Sequence, residues 1–410
     1  MYKNISRCRI CGNSNLVKIL DLGIQYLTGI FPESVDDEVT SGPLQLLKCH
    51  GDDACNLLQL AHSYELSEMY GKNYGYRSGL NSSMVNHLKS KVNKIQELIT
   101  INASDLVIDI GSNDGTTLSF YEPGPLLVGV DPTGVKFSEY YRNDIILIPD
   151  FFSAQLIKDR YPHRRAKVIT SFAMFYDLES PIDFMRQIFD VLDDDGVWMF
   201  EQSYMPLMLK TSSFDTVCHE HLEYYGLKQI LWMTDQIGFE IADVELNDVN
   251  GGSFSVTVKK SKRSGPISSQ VALILEQESS LKLNALDPYR YFETAMMRAC
   301  SNLIDFVKSA NSQGKRVGAL GASTKGNVLL QYCRFTKDDI FAIGEVNTDK
   351  FGCLTPGSWI PIIDQREILE AQPDYLVVLP WHFRDFFISN ISFSGQTLVF
   401  PLPELEVIRV

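Results

Sequence analysis

Between residues 106 and 202 short apolar runs recur, with longer amphipathic stretches between them. LVIDIG (106–111), LLVGVD (126–131), IILIPD (145–150), AKVITSF (166–172) and GVWMFEQ (196–202) have the length and β-branched content of buried strands. PIDFMRQIFDVLDDDG, just before the last of them, reads as a helix. This alternation predicts an open parallel α/β sheet. FEIADVELNDVNGGSFSVTVKK (239–260) predicts two more strands around an Asn-Gly-Gly turn, an antiparallel pair at the end of that sheet. Ahead of the sheet, Met84, Val85, Leu88, Val92, Ile95 and Leu98 fall on one face of a helix over 81–100. Residues 259–285 are polar and predict a connection or an edge helix, followed by a long helix over 289–313. KRVGALGASTKGN opens a second strand–glycine loop–helix unit, and IFAIGEVN and DYLVVLPW supply further strands. The last ~120 residues therefore predict a second, smaller α/β domain. The reading divides the chain into 1–75, 76–260 and 261–410.

A chain of 410 residues suggests about two or three such units. Its 45% hydrophobic and 21% charged residues are an ordinary globular balance. A net charge of −14 argues against a nucleic-acid partner, which needs a basic field, but leaves room for an anionic small substrate met by a few local donors. Apolar runs stay well short of the ~20 residues that cross a bilayer. MYKNISRCRICG also lacks a signal-type apolar core. A cytoplasmic protein without a membrane partner, monomeric or a weak homo-oligomer, is expected.

The eight cysteines are too few for a disulfide scaffold, so their spacing matters more. Cys8, Cys11, Cys49 and Cys55 are separated by 2, 37 and 5 residues. Two such pairs suit a tetrahedral Zn²⁺ that staples a module too small to hold itself together. His50 could replace one thiolate, and four small apolar core cysteines are the plainer alternative. Cys218, Cys300, Cys333 and Cys353 show no pairing pattern.

VIDIGSNDGTTL places Gly111 at a strand end and Gly115 at a helix start, where the backbone can turn sharply against a ligand. GxGxxG is not satisfied. What stands is Asp109, Gly111, Ser112, Asn113, Asp114 and Gly115, with Asp131 where an acid would accept from a ribose diol. An acid before the first glycine is unfavourable beside a pyrophosphate and favourable beside a cation. S-adenosylmethionine (SAM), with its sulfonium and amino group, therefore fits better than NAD. Pro132, Phe151, Phe152 and Ser171, at the ends of the neighbouring strands, complete the expected cofactor set. A bland glycine turn in an α/β core is the alternative.

SFDTVCHEHLEYYG (213–226) holds His219, Glu220 and His221. A helical zinc site needs HExxH, so that both imidazoles share one face. The HEH spacing leaves a polar active-site cluster, a metal site or a surface turn open. In GALGASTKGN, Ser323, Lys325 and Asn327 lie at a predicted helix start, where backbone N–H groups and a lysine attract anions such as a diphosphate. An ordinary helix cap is the alternative. Glu345, 24 residues past Gly321, also admits a second dinucleotide domain. Asn250 to Phe254 (NGGSF) suits a turn near a cleft or a plain hairpin. Trp381 and His382 could line the cleft; closing the last strand is the preferred reading.

Together these segments resemble the SAM-dependent sugar C-methyltransferases, which methylate C3 of 4-keto-6-deoxy nucleotide sugars. The four-cysteine module, DIGSNDGT, FDTVCHEHLEYY, NDVNGGSF, GASTKGN, TPGSWIPI and LPWHF carry the resemblance across nearly the whole chain. It implies a Rossmann-like methyltransferase core between a small N-terminal zinc module and a C-terminal Rossmann-like α/β domain, with the nucleotide sugar in the cleft between core and C-terminal domain. It implies His221 as the base, Glu220 as its neighbour and Tyr76 as an active-site tyrosine. Cys218 stands where some members have a tyrosine, and SFAMFYDL departs from a more usual histidine-containing loop.

Methyl transfer to carbon needs a carbanion equivalent, and a C–H beside a ketone gives one up to a placed base with a pKa near working pH. Histidine meets that condition without special tuning. The resulting oxyanion needs donors, for which Tyr76, Tyr224 or His219 are candidates. An O-methyltransferase on a nucleotide sugar or polysaccharide precursor, or a non-catalytic binding protein, are the competing readings.

Overall fold

The computed structural model describes residues 2–69, 76–260 and 267–410. The domain boundaries drawn after residues 75 and 260 touch segments outside the described residues. Among the described residues the main sheets have four, seven and six strands, and a two-stranded pair joins Tyr2–Asn4 to His62–Tyr64.

The seven-stranded sheet runs in the order Phe239–Asn247, Ser253–Lys260, Leu192–Ser203, Ala166–Phe172, Leu106–Ile110, Leu126–Val130, Ile145–Ile148. The last five strands are parallel, and the first two form the expected antiparallel pair at one edge. Leu106–Ile110 is buried along its whole length, as a strand covered on both faces must be. The connections reverse direction across it, between Leu126–Val130 on one side and Ala166–Phe172 on the other. The crevice at its carboxyl end is thus the topological switch point where such sheets bind ligands.

The helix Ser82–Leu98 starts at Asn81, whose side chain accepts from Ser83 N at 2.9 Å. Its buried face holds Leu88, Lys91, Val92 and Ile95, whereas Leu98 is exposed. Lys91 enters the interior because it finds partners there: Ser255 Oγ at 2.9 Å and Glu201 at 3.3 Å. Residues beyond 267 contain the helix Ser269–Ser280, and the long helix spans Asp287–Ser312.

The C-terminal sheet runs Ile362–Asp364, Ile343–Glu345, Val317–Leu320, Tyr375–Val378, Thr397–Phe400, Glu406–Arg409, parallel except for its final strand. Tyr375–Val378 is therefore not the last strand. Two more follow it, which corrects the preferred placing of Trp381 and His382.

The N-terminal sheet is less self-contained than the sequence implies. Leu16–Tyr26, Ser41–Cys49 and Leu58–Leu60 are joined by Glu223–Tyr224, the end of the HEH segment.

Candidate active site and metal centre

The cofactor loop begins with a buried acid. Asp109 is 2% exposed, and Thr170 Oγ1 donates to its Oδ1 at 2.6 Å. Burial raises its carboxyl to about 7, with Asp131 and Asp114 adding to the rise. Gly111 and Gly115 take φ of +72° and +75°, a backbone region where a side chain is strained. Asp131 accepts from Asn113 N at 2.7 Å and from Thr133 N and Oγ1 at 2.6 Å each, capping the turn that Pro132 opens. The segment around Tyr76 lies over the loop. Asn113 Nδ2 donates to Tyr76 O at 3.1 Å, Ser78 N to Asn113 Oδ1 at 2.9 Å, and Gly79 N to Asp114 Oδ2 at 2.9 Å. The Tyr76 side chain is 47% exposed. Ser112 Oγ meets Tyr141 OH at 2.8 Å.

Two expected cofactor residues fall elsewhere. Ser171 is fully buried on the opposite face of the sheet from Thr170 and Asp109, where its hydroxyl accepts from Trp198 Nε1 at 2.9 Å. Phe152 packs edge-on against Phe184, at 5.3 Å between ring centroids, and belongs to the core. Phe151 is exposed. What remains at the loop is three acidic side chains around a glycine turn, with Asp131 and Asp114 raising Asp109. That field disfavours a pyrophosphate and fits the sulfonium and ammonium of SAM.

His221 is half-buried. Its Nδ1 lies 3.0 Å from Thr216 O. A carbonyl only accepts, so Nδ1 carries the proton and Nε2 keeps the basic lone pair. Burial lowers the imidazole to about 4, Thr216 opposes the shift and Lys325 adds to it. The ring of Tyr176 lies 4.2 Å from that of His221. Glu220 turns toward the zinc module. Thr28 Oγ1 donates to its Oε2 at 3.3 Å, and a Cβ on Gly29 would come within 2.6 Å of Oε1. Burial raises the Glu220 carboxyl. His219 departs from the expected cluster: it is fully buried against the Tyr64 ring, 4.7 Å between centroids, on the zinc-module side. Tyr224 is 3% exposed and directs its hydroxyl to the same Thr216 carbonyl at 3.4 Å. It supports His221 from behind rather than lining the cleft. Cys218 is also fully buried, with burial raising its thiol.

On the C-terminal side, Lys325 Nζ donates to Asn250 O at 2.6 Å. Asn250 and Gly251 have φ of 55° and 88°, and a Cβ on Gly251 would lie 3.5 Å from His382 Cβ. Trp381 Nε1 donates to Asp215 Oδ2 at 2.8 Å, beside Thr216. Trp381 and His382 thus sit at the junction of the two α/β units. Ser323 spends its hydroxyl as a helix cap, accepting from Gly326 N at 3.1 Å. Asn327 is fully buried and donates to Thr28 O at 2.7 Å. Asn327 thus faces the N-terminal module rather than a cleft, and the Ser323 hydroxyl is committed to the helix start. The second dinucleotide reading meets a glycine loop that is covered. Glu345 accepts from its own Val346 N and Asn347 N at 2.7 and 3.0 Å. Lys350 binds Ala322 O at 2.8 Å under the Phe31 ring, so the N-terminal module covers that glycine loop.

Thr28, Thr216, Tyr176 and Asp215 were not singled out from sequence. SFAMFYDL, which contains Tyr176, carried the one visible signal, a departure from the family pattern.

The sulfurs of Cys8, Cys11, Cys49 and Cys55 lie within 4.8 Å of one another, with Cys8–Cys55 and Cys11–Cys49 at 3.5 Å. Four sulfurs at 2.3 Å from a tetrahedral centre stand roughly 3.8 Å apart, so the cluster fits Zn²⁺. The four thiols share their protons unevenly: hydrogen bonding from Cys55 pulls Cys11 and Cys49 down, Cys49 to about 7, while Cys8 and Cys55 are pushed up. His50 is not part of the cluster.

A switch-point glycine loop ringed by acids, beside a zinc-stapled module, defines a SAM-dependent methyltransferase. Family models match along the chain in the same order: "Putative zinc binding domain" at 8–70, "Methyltransferase domain" at 85–244 and "C-methyltransferase C-terminal domain" at 248–403. The C-methyltransferase NovU of Streptomyces niveus is 28% identical over all of this chain and 98% of its own. The chain is a SAM-dependent methyltransferase whose three parts follow the order of these models, and it resembles NovU along its whole length. Among solved structures, the plantazolicin methyltransferase BpumL with S-adenosylhomocysteine is 12% identical, covering 43% of this chain and 83% of its own at a TM-score of 0.35. The magnesium protoporphyrin IX methyltransferase ChlM of Synechocystis PCC 6803, also with S-adenosylhomocysteine, is 14% identical, covering 44% and 88% at 0.35. No described helix is long and apolar enough to cross a membrane.

Proposed function

We propose that the protein methylates the carbon next to the ketone of a nucleotide-linked 4-keto-deoxy sugar, through an enolate. The observation that carries this reading is the neutral His221, with its Nδ1 proton held by Thr216 O and Nε2 free. Nε2 takes the proton from the carbon alpha to the ketone, and the C–H electron pair becomes the enolate. Bound SAM supplies a methyl group on a sulfonium, which the enolate carbon accepts. The products are the C-methyl ketone and S-adenosylhomocysteine, and His221 releases its proton to solvent. Glu220, its carboxyl raised by burial, lies against Thr28 and Gly29 and fixes the backbone that carries His221. Lys325, beside Asn250 O, supplies positive charge at the junction where an anionic nucleotide portion would lie. Asp109, with the glycine turn at 111–115, would hold the cofactor's cationic end.

The test is mass spectrometry of candidate keto-sugar nucleotides incubated with SAM, run beside solvent deuterium exchange at the alpha carbon without SAM. Methyl gain on carbon with SAM-independent exchange is expected. His221→Ala should lose both while SAM still binds by calorimetry. Full activity in that variant would sink the assignment of the base, and methyl gain on oxygen without exchange would replace the reaction.

A further inference from the structure

The residues that carry the proposed base are gripped from two sides: by the methyltransferase core, where Leu222 N donates to Tyr176 O at 2.8 Å and Met205 N to Tyr225 O at 2.9 Å, and by the zinc module. Glu223–Tyr224 pairs antiparallel with Leu58 and Gln59, and Leu60 N donates to Leu222 O at 2.8 Å. A ladder of two residues is too short to specify its own register, and a slip of one residue would turn every side chain to the other face.

Arg9, between the ligands Cys8 and Cys11, meets this strand from the knuckle. Its side chain is 3% exposed and that of Glu223 is 0%, with Arg9 Nε 3.5 Å from Glu223 Oε1. The guanidinium is aimed by four further acceptors: Leu60 O at 2.7 Å, Ser63 Oγ at 3.0 Å, His62 O at 3.2 Å and Gln59 Oε1 at 3.5 Å. Burial raises the Glu223 carboxyl well above its usual range and Arg9 opposes the rise, while Asp177 and Glu179 add to it; Arg9 is the cation that meets Glu223 in the interior. A buried ion pair stabilises little compared with an apolar pair of the same volume, and its best-attested use is to set register. The second knuckle braces the other end. Gln229 Nε2 donates to the carbonyl of Cys55 at 2.9 Å, and Gln229 Oε1 accepts from Gly226 N at 2.9 Å.

We infer that Arg9 is a positioning residue for His221: by pairing with buried Glu223 it sets the register of the strand that follows the base, which makes the zinc knuckle part of the catalytic apparatus. The inference rests on His221 being the base, but its test does not depend on that alone. Arg9→Met, Glu223→Gln and the double variant are compared with the wild type in the full-length, zinc-loaded protein. Zinc content, SAM affinity by calorimetry, deuterium exchange at the alpha carbon of a nucleoside-diphosphate 4-keto-6-deoxyhexose, and backbone amide exchange of the peptide spanning 217–226 are measured.

Expected for Arg9→Met are full zinc content, SAM affinity within about two-fold, carbon exchange slowed about ten-fold or more, and faster amide exchange at 217–226 with 106–115 unchanged. The double variant should regain thermal stability, because no buried charge is left alone, yet stay slow and unprotected at 217–226. Full recovery of carbon exchange in the double variant would reduce Arg9 to a neutralising counter-ion and overturn the inference. Should the wild type show no carbon exchange, the base assignment fails. Amide exchange then still decides, since protection at 217–226 unchanged in Arg9→Met and Glu223→Gln overturns the register role. Arg9→Lys, a point charge without the fork, should restore only part of the rate.

Discussion

The pH dependence of proton abstraction follows from the burial of His221. An ordinary histidine titrates near 6.5, whereas burial with Lys325 nearby holds this one at about 4. The base form is the neutral imidazole, so lowering the pKa extends its availability toward acid, while placing it below the working pH and making it a weaker base than an ordinary histidine. At pH 5.5 a group with a pKa of about 4 is about 97% neutral, and one at 6.5 about 9%, a roughly ten-fold difference in usable base. The assay is deuterium exchange at the alpha carbon between pH 4.5 and 8, with kcat for methyl transfer at saturating SAM measured in parallel. Saturation keeps Asp109, itself raised to about 7, from adding a second acid limb through cofactor binding. Both rates should stay level from pH 8 to about 5 and fall below that. An acid limb centred near 6.5 in both assays, with the fold intact by circular dichroism, would refute the reasoning, because it would mean that the base titrates in a solvated setting.

SAM affinity should rise as pH increases through about 7, because the Asp109 carboxylate ionises there and the ligand is cationic. Calorimetry in buffers of different ionisation enthalpy should show proton release near pH 6.5. Asp109→Asn should weaken SAM about ten- to a hundred-fold, the range of one charge-assisted contact, and flatten that pH dependence. Removing zinc with a chelator, or Cys49→Ser, should melt the N-terminal module first in calorimetry and accelerate amide exchange around 26–32 as well as 217–226, since Thr28, Gly29 and the strand Leu58–Leu60 hold the HEH segment. Trp381→Phe should cost about 1–3 kcal/mol in chemical denaturation, because buried Asp215 loses its indole donor. An unchanged midpoint would show that the junction relaxes or hydrates around the acid.

The parts of this protein that depend on local pattern were legible in its sequence. The strands of the central sheet follow from short β-branched runs, and the antiparallel pair from an Asn-Gly-Gly turn whose positive φ angles suit those residues. Asp109 and the Gly111–Gly115 turn follow from a strand that must stop and reverse. The zinc cluster follows from paired cysteines. Side-chain direction was less legible. Ser171 was expected beside the cofactor but alternates to the other face, and Lys91 is buried where an apolar face was expected, because Glu201 and Ser255 arrive from strands more than a hundred residues away.

What only the tertiary structure decided concerns the HEH segment. The two histidines lie two residues apart and read as one cluster. They face different partners, His221 toward Thr216 and Tyr176, and His219 toward Tyr64 of the zinc module. Nothing local sets that division. It arises because Glu223–Tyr224 completes a sheet whose other strands lie within the first 60 residues, and because Arg9 meets Glu223 in the interior. The pKa of His221 has the same origin. A sequence names the titratable group, but burial, a carbonyl five residues back and a lysine a hundred residues on determine its protonation at neutral pH.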